Sequence, residues 1–189
     1  MRVPFGLLAL SILTWGQEVR VGGRIADFTL TDAHGQPVAI SPGKGDVMVV
    51  MFISTICPVS NSYNVRINDL QRDYSPKGVK FVFINANQNE SSTQVEAHAR
   101  SAGFAFPVYR DKNNVVADRF GAQYTPETFV MDRSGVLRYH GRIDDAQNPA
   151  RVQQHSLRMA INAVLAGGEV AVPETKAFGC SIKRARRIS

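Results

Sequence analysis

Two cysteines, Cys57 and Cys180, are all that the 189-residue sequence contains. At most one internal disulfide is therefore open to it. Its four histidines are scattered, and no second thiol stands beside Cys57. That leaves no site of the paired-cysteine-and-histidine kind that holds copper or zinc, and no metal or other cofactor is expected. Basic residues outnumber acidic ones, giving a formal net charge of +6. Four of those charges (Lys183, Arg184, Arg186 and Arg187) sit at the end of the chain and read as a solvated terminus. The body lacks the basic stripe with interleaved aromatics that nucleic acid requires. Internal repeats and low-complexity blocks are absent too. So is an apolar run long enough to span a bilayer: Val3–Trp15, preceded by Arg2, is too short and is interrupted by Pro4 and Gly6. It reads as a processing signal over residues 1–16, with Thr14 and Gly16 allowing cleavage before Gln17, or else as a buried N-terminal strand. No cysteine follows the run, which excludes a bacterial-type lipid anchor there. Export to a secreted or periplasmic location follows, with no stable membrane insertion after processing, where a disulfide would persist.

What is present is an ordinary soluble composition, 44% hydrophobic and 20% charged, at a length suited to one full domain. We place that domain at residues 17–168 and an extension carrying Cys180 at 169–189. Phe28 and Leu30 alternate, a polar turn follows, and Val38 and Ile40 complete a hairpin. Val47–Ile53 is apolar on both parities, as in a strand buried on both faces. After Pro58, the residues Tyr63, Ile67, Leu70 and Tyr74 recur on one helical face. Val79–Asn85 is a second buried strand, Ser91–Ala102 a helix and Phe106–Tyr109 a short strand. Val115–Phe120 is a short helix. Thr128–Asp132 and Val136–His140 form a hairpin, and Pro149–Ala166 is a closing helix with Leu157 or Met159 turned inward. The order predicts an α/β fold: a mixed central sheet with helices on both faces and an N-terminal β-hairpin extension.

The chemistry concentrates at Cys57. An apolar strand delivers it to the first turn of a helix, where free backbone N–H groups and the helix dipole favour a thiolate. Downstream, Tyr124-Thr125-Pro126-Glu127 precedes the hairpin. Cys180 follows Gly179, which permits a tight backbone. It is a surface thiol, a packed structural cysteine, or a partner for Cys57 in the same chain or a second one, and spacing alone does not choose. Asn85, Asn87 and Glu90 follow a strand whose end lies beside that of the Cys57 strand. They either line the mouth of a site or satisfy their own loop. Glu127 reads as a solvated charge, or as a proton relay.

Taken in order, FISTICPVSN, VKFVFINAN, YTPETFVMD, YHGRIDD and TKAFGCSIKR resemble the thioredoxin superfamily from about Gly22 to Lys183. The resemblance is to its redoxin branch, the alkyl-hydroperoxide-reductase/thiol-specific-antioxidant type, which includes peroxiredoxin-like thioredoxin-domain proteins. It implies a thioredoxin-like fold, a cis peptide before Pro126, and a Thr125 backbone that meets an incoming thiol partner. Cys57 lies five residues after Phe52, the first position of the two-thiol motif, with Ser60 in place of the second cysteine. Peroxiredoxins carry Pro-x-x-x-Thr/Ser-x-x-Cys; Ser54 fits that pattern and Val50 does not. The resemblance therefore implies a thiol oxidoreductase with Cys57 as nucleophile, and makes Cys180 one candidate for the resolving thiol. Pro58, Ser60, Asn87 and Glu127 are expected to surround the substrate. Its partners would be protein thiols and disulfides or small peroxides, with a separate electron donor. A true thiol peroxidase, and a non-catalytic binding or metal-binding module, are the alternatives.

Overall fold

The structure is a computed structural model and describes residues 19–185. The processing-signal stretch and the last four residues lie outside that range. Nine strands and five helices follow in chain order among the described residues: β1 (Phe28–Thr31), β2 (Pro37–Ile40), β3 (Val47–Phe52), α1 (Pro58–Asn61), α2 (Asn64–Tyr74), β4 (Val79–Asn85), α3 (Ser92–Ser101), β5 (Val108–Arg110), α4 (Val115–Phe120), β6 (Tyr124–Thr125), β7 (Glu127–Met131), β8 (Leu137–Gly141), α5 (Ser156–Leu165) and β9 (Cys180–Ser181).

The main sheet has the order β2-β1-β5-β4-β3-β7-β8. β3, β4 and β5 are mutually parallel, as strand–helix–strand crossovers require, while β7 and β8 return antiparallel. The β1–β2 hairpin adds to the far edge through Thr31 and Arg110. Every residue of β3 is buried. Its alternate side chains feed two cores: Val47, Val49 and Met51 pack with α2 and α5, and Met48, Val50 and Phe52 pack with α4. Helices thus cover both faces, which is the fold class expected from the sequence. The second core is pinned by Phe52, Phe120 and Phe129 in edge-to-face pairs 5.0–6.1 Å apart, each worth about 0.5–1.5 kcal/mol beyond burial.

Three local expectations are corrected. The helix after Pro58 is split at Ser62 and Tyr63, where the Tyr63 N–H reaches back only to Ser60 O. The short strand is Val108–Arg110, and Phe106 instead stacks on Phe83. The closing helix is ten residues long, not eighteen as 149–166 implied. Val152 leaves helical space, and the backbone at 153–154 bonds to Asp145 rather than to a helix. With that start, Leu157 is buried and Met159 is 55% exposed.

Beyond α5 the chain runs along the outer edge of β8. Pro173 O accepts from the His140 N–H and the Thr175 N–H donates to His140 O. This covers a sheet edge that would otherwise be open. β9 then pairs antiparallel with β6, with Thr125 opposite Cys180 and Tyr124 opposite Ser181. Among the described residues no helix is long and apolar enough to cross a membrane.

Candidate active site

Cys57 caps the N-terminus of α1, and Pro58 occupies the first helical position with its ring exposed. Proline is suited there because its missing N–H has no intrahelical partner to lose. The Ser60 N–H points at Cys57 Sγ across 3.4 Å, as it would toward a released thiolate. Cys57 is joined to Cys180 in a disulfide, with Cα atoms 5.9 Å apart across 123 residues of sequence, inside the range such a bond needs. The Thr125–Pro126 peptide is cis. Thr125 O lies 3.4 Å from Cys57 Sγ, placed to accept from that sulfur when it is a free thiol. The two sulfurs differ in access: Cys57 is 1% exposed, whereas Cys180 is partly exposed.

The loop ahead of Cys57 is organised by one buried carboxylate, Glu90. Its Oε1 accepts from the Ser54 hydroxyl (2.6 Å). Its Oε2 accepts from the Thr55 N–H (2.7 Å), the Thr55 hydroxyl (2.5 Å) and Asn85 Nδ2 (2.7 Å). Ser54 Oγ in turn accepts from the Cys57 N–H at 3.1 Å. On the other side of Asn85, its Oδ1 accepts from the Arg110 guanidinium and from the Asn87 N–H. Arg110 also donates to Asn87 O, and Asn87 Oδ1 accepts from the Lys183 N–H at 2.8 Å. Residues 85–90 therefore hold both cysteine-bearing segments at once. Burial lowers the pKa of the Arg110 guanidinium, and the charges of Glu90 and Asp111 oppose that shift.

Several residues expected around a substrate are engaged by the chain itself in this structure. Ser60 is buried, and its hydroxyl accepts from the Ser54 N–H. Asn87 is buried, its Oδ1 accepting from the Lys183 N–H. Glu127 is 3% exposed, which overturns the reading of a solvated charge. Its Oε2 accepts from the Gln123 and Tyr124 N–H groups, and its Oε1 shares a 2.6 Å hydrogen bond with His140. It thus braces the loop that leads into the cis peptide. Arg110 was not singled out in the sequence. The available signal was its place at the end of a strand in register with Asn85, which only the parallel pairing reveals.

His98 supports the same loop from outside. Its Nε2 lies 2.9 Å from Asn61 Oδ1, and Asn61 Nδ2 donates to Thr55 O. Burial lowers the His98 pKa below its ordinary 6.5, with Glu90 opposing. The unfolded chain therefore takes up this proton first. The stability that depends on neutral His98 is complete above pH 6.5 and is lost as pH falls below it toward the folded pKa. Urea midpoints at pH 7.5 and 5.5 should fall less in His98→Gln than in the parent; equal falls would remove His98 from the acid response.

The AhpC/TSA family model matches residues 21–140. Thiol-disulfide oxidoreductase ResA from Geobacillus thermodenitrificans is 28% identical over 64% of this chain and 68% of its own. Peroxiredoxin Q from Sedum lineare is 29% identical with the same coverage of each. The crystal structure of an uncharacterized conserved protein from Geobacillus kaustophilus superposes with a TM-score of 0.81 at 31% identity, covering 89% of this chain and 94% of that one. The family match over residues 21–140, together with the oxidoreductase relatives, leads to one conclusion: the chain belongs to the AhpC/TSA family and is a thiol-based oxidoreductase.

Proposed function

We propose that the protein is an exported thiol–disulfide oxidoreductase acting on protein thiols and disulfides. In this reading Cys57 is the attacking thiolate and Cys180 resolves the mixed disulfide that results. The observation that carries it is the Cys57–Cys180 bond beside the cis Thr125–Pro126 peptide. The missing second cysteine of the local motif, at Ser60, is supplied from the far end of the chain. Export is supported by the apolar N-terminal run and by a disulfide that would persist outside the reducing cytosol. An external dithiol completes the cycle by re-reducing the pair.

Cys57→Ser is expected to lose at least a hundred-fold in reduction of a protein disulfide such as that of insulin. Cys180→Ser should instead accumulate a Cys57 mixed disulfide, seen as an added mass on non-reducing mass spectrometry. Full exchange activity in Cys57→Ser would sink the assignment.

The second reading, a thiol peroxidase, draws on Ser54 three residues before Cys57 and on buried Arg110 nearby in the same network. It requires hydrogen peroxide to oxidise reduced Cys57 far faster than a free thiol, by stopped flow. Ordinary thiol rates would reject it.

A further inference from the structure

β9 is held as a bound peptide would be held. Besides its disulfide, the segment 179–183 is gripped mainly through its backbone. Cys180 and Ser181 pair antiparallel with Thr125 and Tyr124. The Ile182 N–H donates to Gln123 O (2.9 Å), the Lys183 N–H to Asn87 Oδ1 (2.8 Å), and Lys183 O accepts from the Gln88 N–H (2.9 Å). Such a main-chain ladder is the way proteins capture an extended segment of unspecified sequence.

Two positions of the seat do read side chains. At 179 the chain has φ +152°, and a Cβ there would collide with the Thr125 carbonyl, its carbon only 2.8 Å away. Only glycine fits immediately before the cysteine. Two residues after the cysteine, Ile182 is 5% exposed and joins the core built around Phe52 and Phe120. Between them Ser181 is exposed, its side chain meeting only the Lys183 ammonium of the tail itself at 3.3 Å.

We propose that the chain's own tail is the resident occupant of the groove formed by Asn87, Gln88 and Gln123–Thr125, competing there with the protein partner whose docking beside Thr125 the family resemblance implies. The partner it fits is an extended, disulfide-bonded polypeptide segment of the form Gly-Cys-x-aliphatic. This rests on the disulfide-exchange reading above and specifies its substrate. With the pair oxidised the tail is tethered in the groove and shields Cys57. With the pair reduced, a partner segment can displace it.

The Cys57 thiolate attacks the partner's cysteine sulfur in the groove, breaking the partner's disulfide and releasing its other sulfur as a thiolate, which takes a proton from water. Cys180, having given its proton to water, attacks Cys57 Sγ and expels the partner's docked cysteine as a thiolate. The tail strand re-forms, and two electrons have passed from Cys57 and Cys180 to the partner. An external dithiol restores the pair by attacking first at Cys180, the more accessible sulfur.

The test uses the full chain carrying Gly179→Ala, kept reduced, so that its own tail seats poorly. The probe is a labelled synthetic peptide of residues 176–185 with serine in place of the cysteine, followed by fluorescence anisotropy. It should bind the reduced Gly179→Ala chain at least ten-fold more tightly than the oxidised parent. Replacing the peptide's glycine by alanine, or its isoleucine by serine, should each weaken binding at least ten-fold. Equal affinity for the glycine and alanine peptides overturns the proposal. So does equal affinity for the two chains, or no binding to a Gly179→Ala chain whose circular dichroism matches the parent. None of these readouts needs Cys57 to react. Retention of exchange activity in Cys57→Ser would therefore overturn the functional reading alone.

Discussion

Glu90→Ala is expected to destabilise the oxidised protein by about 3–5 kcal/mol, the usual cost of removing one member of a buried charged network. The magnitude follows from what is left behind. The Ser54 and Thr55 hydroxyls, the Thr55 N–H and Asn85 Nδ2 all lose their acceptor, and a buried donor without a partner costs roughly 1–3 kcal/mol. These losses do not add fully, because the Thr55 groups are only part-buried and water can reach them. Glu90→Gln keeps the shape and one oxygen, and should cost less than half as much. Urea unfolding of the three proteins, with the disulfide intact, measures both. A loss below about 1 kcal/mol for the alanine variant would show that the Cys57 loop is held by something else. The same variant should also loosen the tail around Lys183. Through Asn85, Glu90 is connected to Asn87 and hence to Lys183.

The second large effect is redox-linked. Opening the Cys57–Cys180 bond frees an unfolded chain that had been closed across 123 residues, and loop-closure entropy over that span corresponds to about 4–5 kcal/mol. Dithiothreitol should lower the urea midpoint of the parent accordingly and leave that of Cys57→Ser unchanged. A reduced parent as stable as the oxidised one would mean that the disulfide brings native-state strain equal to its entropic gain.

The principal strands were legible, though not their order in the sheet, because β3 and the Val82–Asn85 part of β4 are buried on both faces and carry the apolar runs that this demands. The cysteine at a strand–helix junction was legible for the same local reason. Helix ends were less so. The break at Val152 depends on Asp145 capturing the backbone at 153–154, a contact between loops that periodicity cannot express. The side chains around the site divide similarly. Cys57, Thr125 and Pro126 stand in patterns readable along the chain. Glu127 and Asn87 look like exposed loop polars until the hairpin and the tail close over them. Arg110 becomes visible only when β5 is aligned beside β4.

The long-range disulfide also has a mechanical consequence. Stretched from its two ends, the oxidised chain can pay out only the residues before Cys57 and after Cys180, because the intervening 123-residue span is closed on itself. Reduction converts that closed span into free length, roughly 400 Å when fully extended. The same two-electron step that would open the groove thus switches the molecule from one that yields only its terminal stretches, β1–β3 among them, to one that can be unravelled throughout.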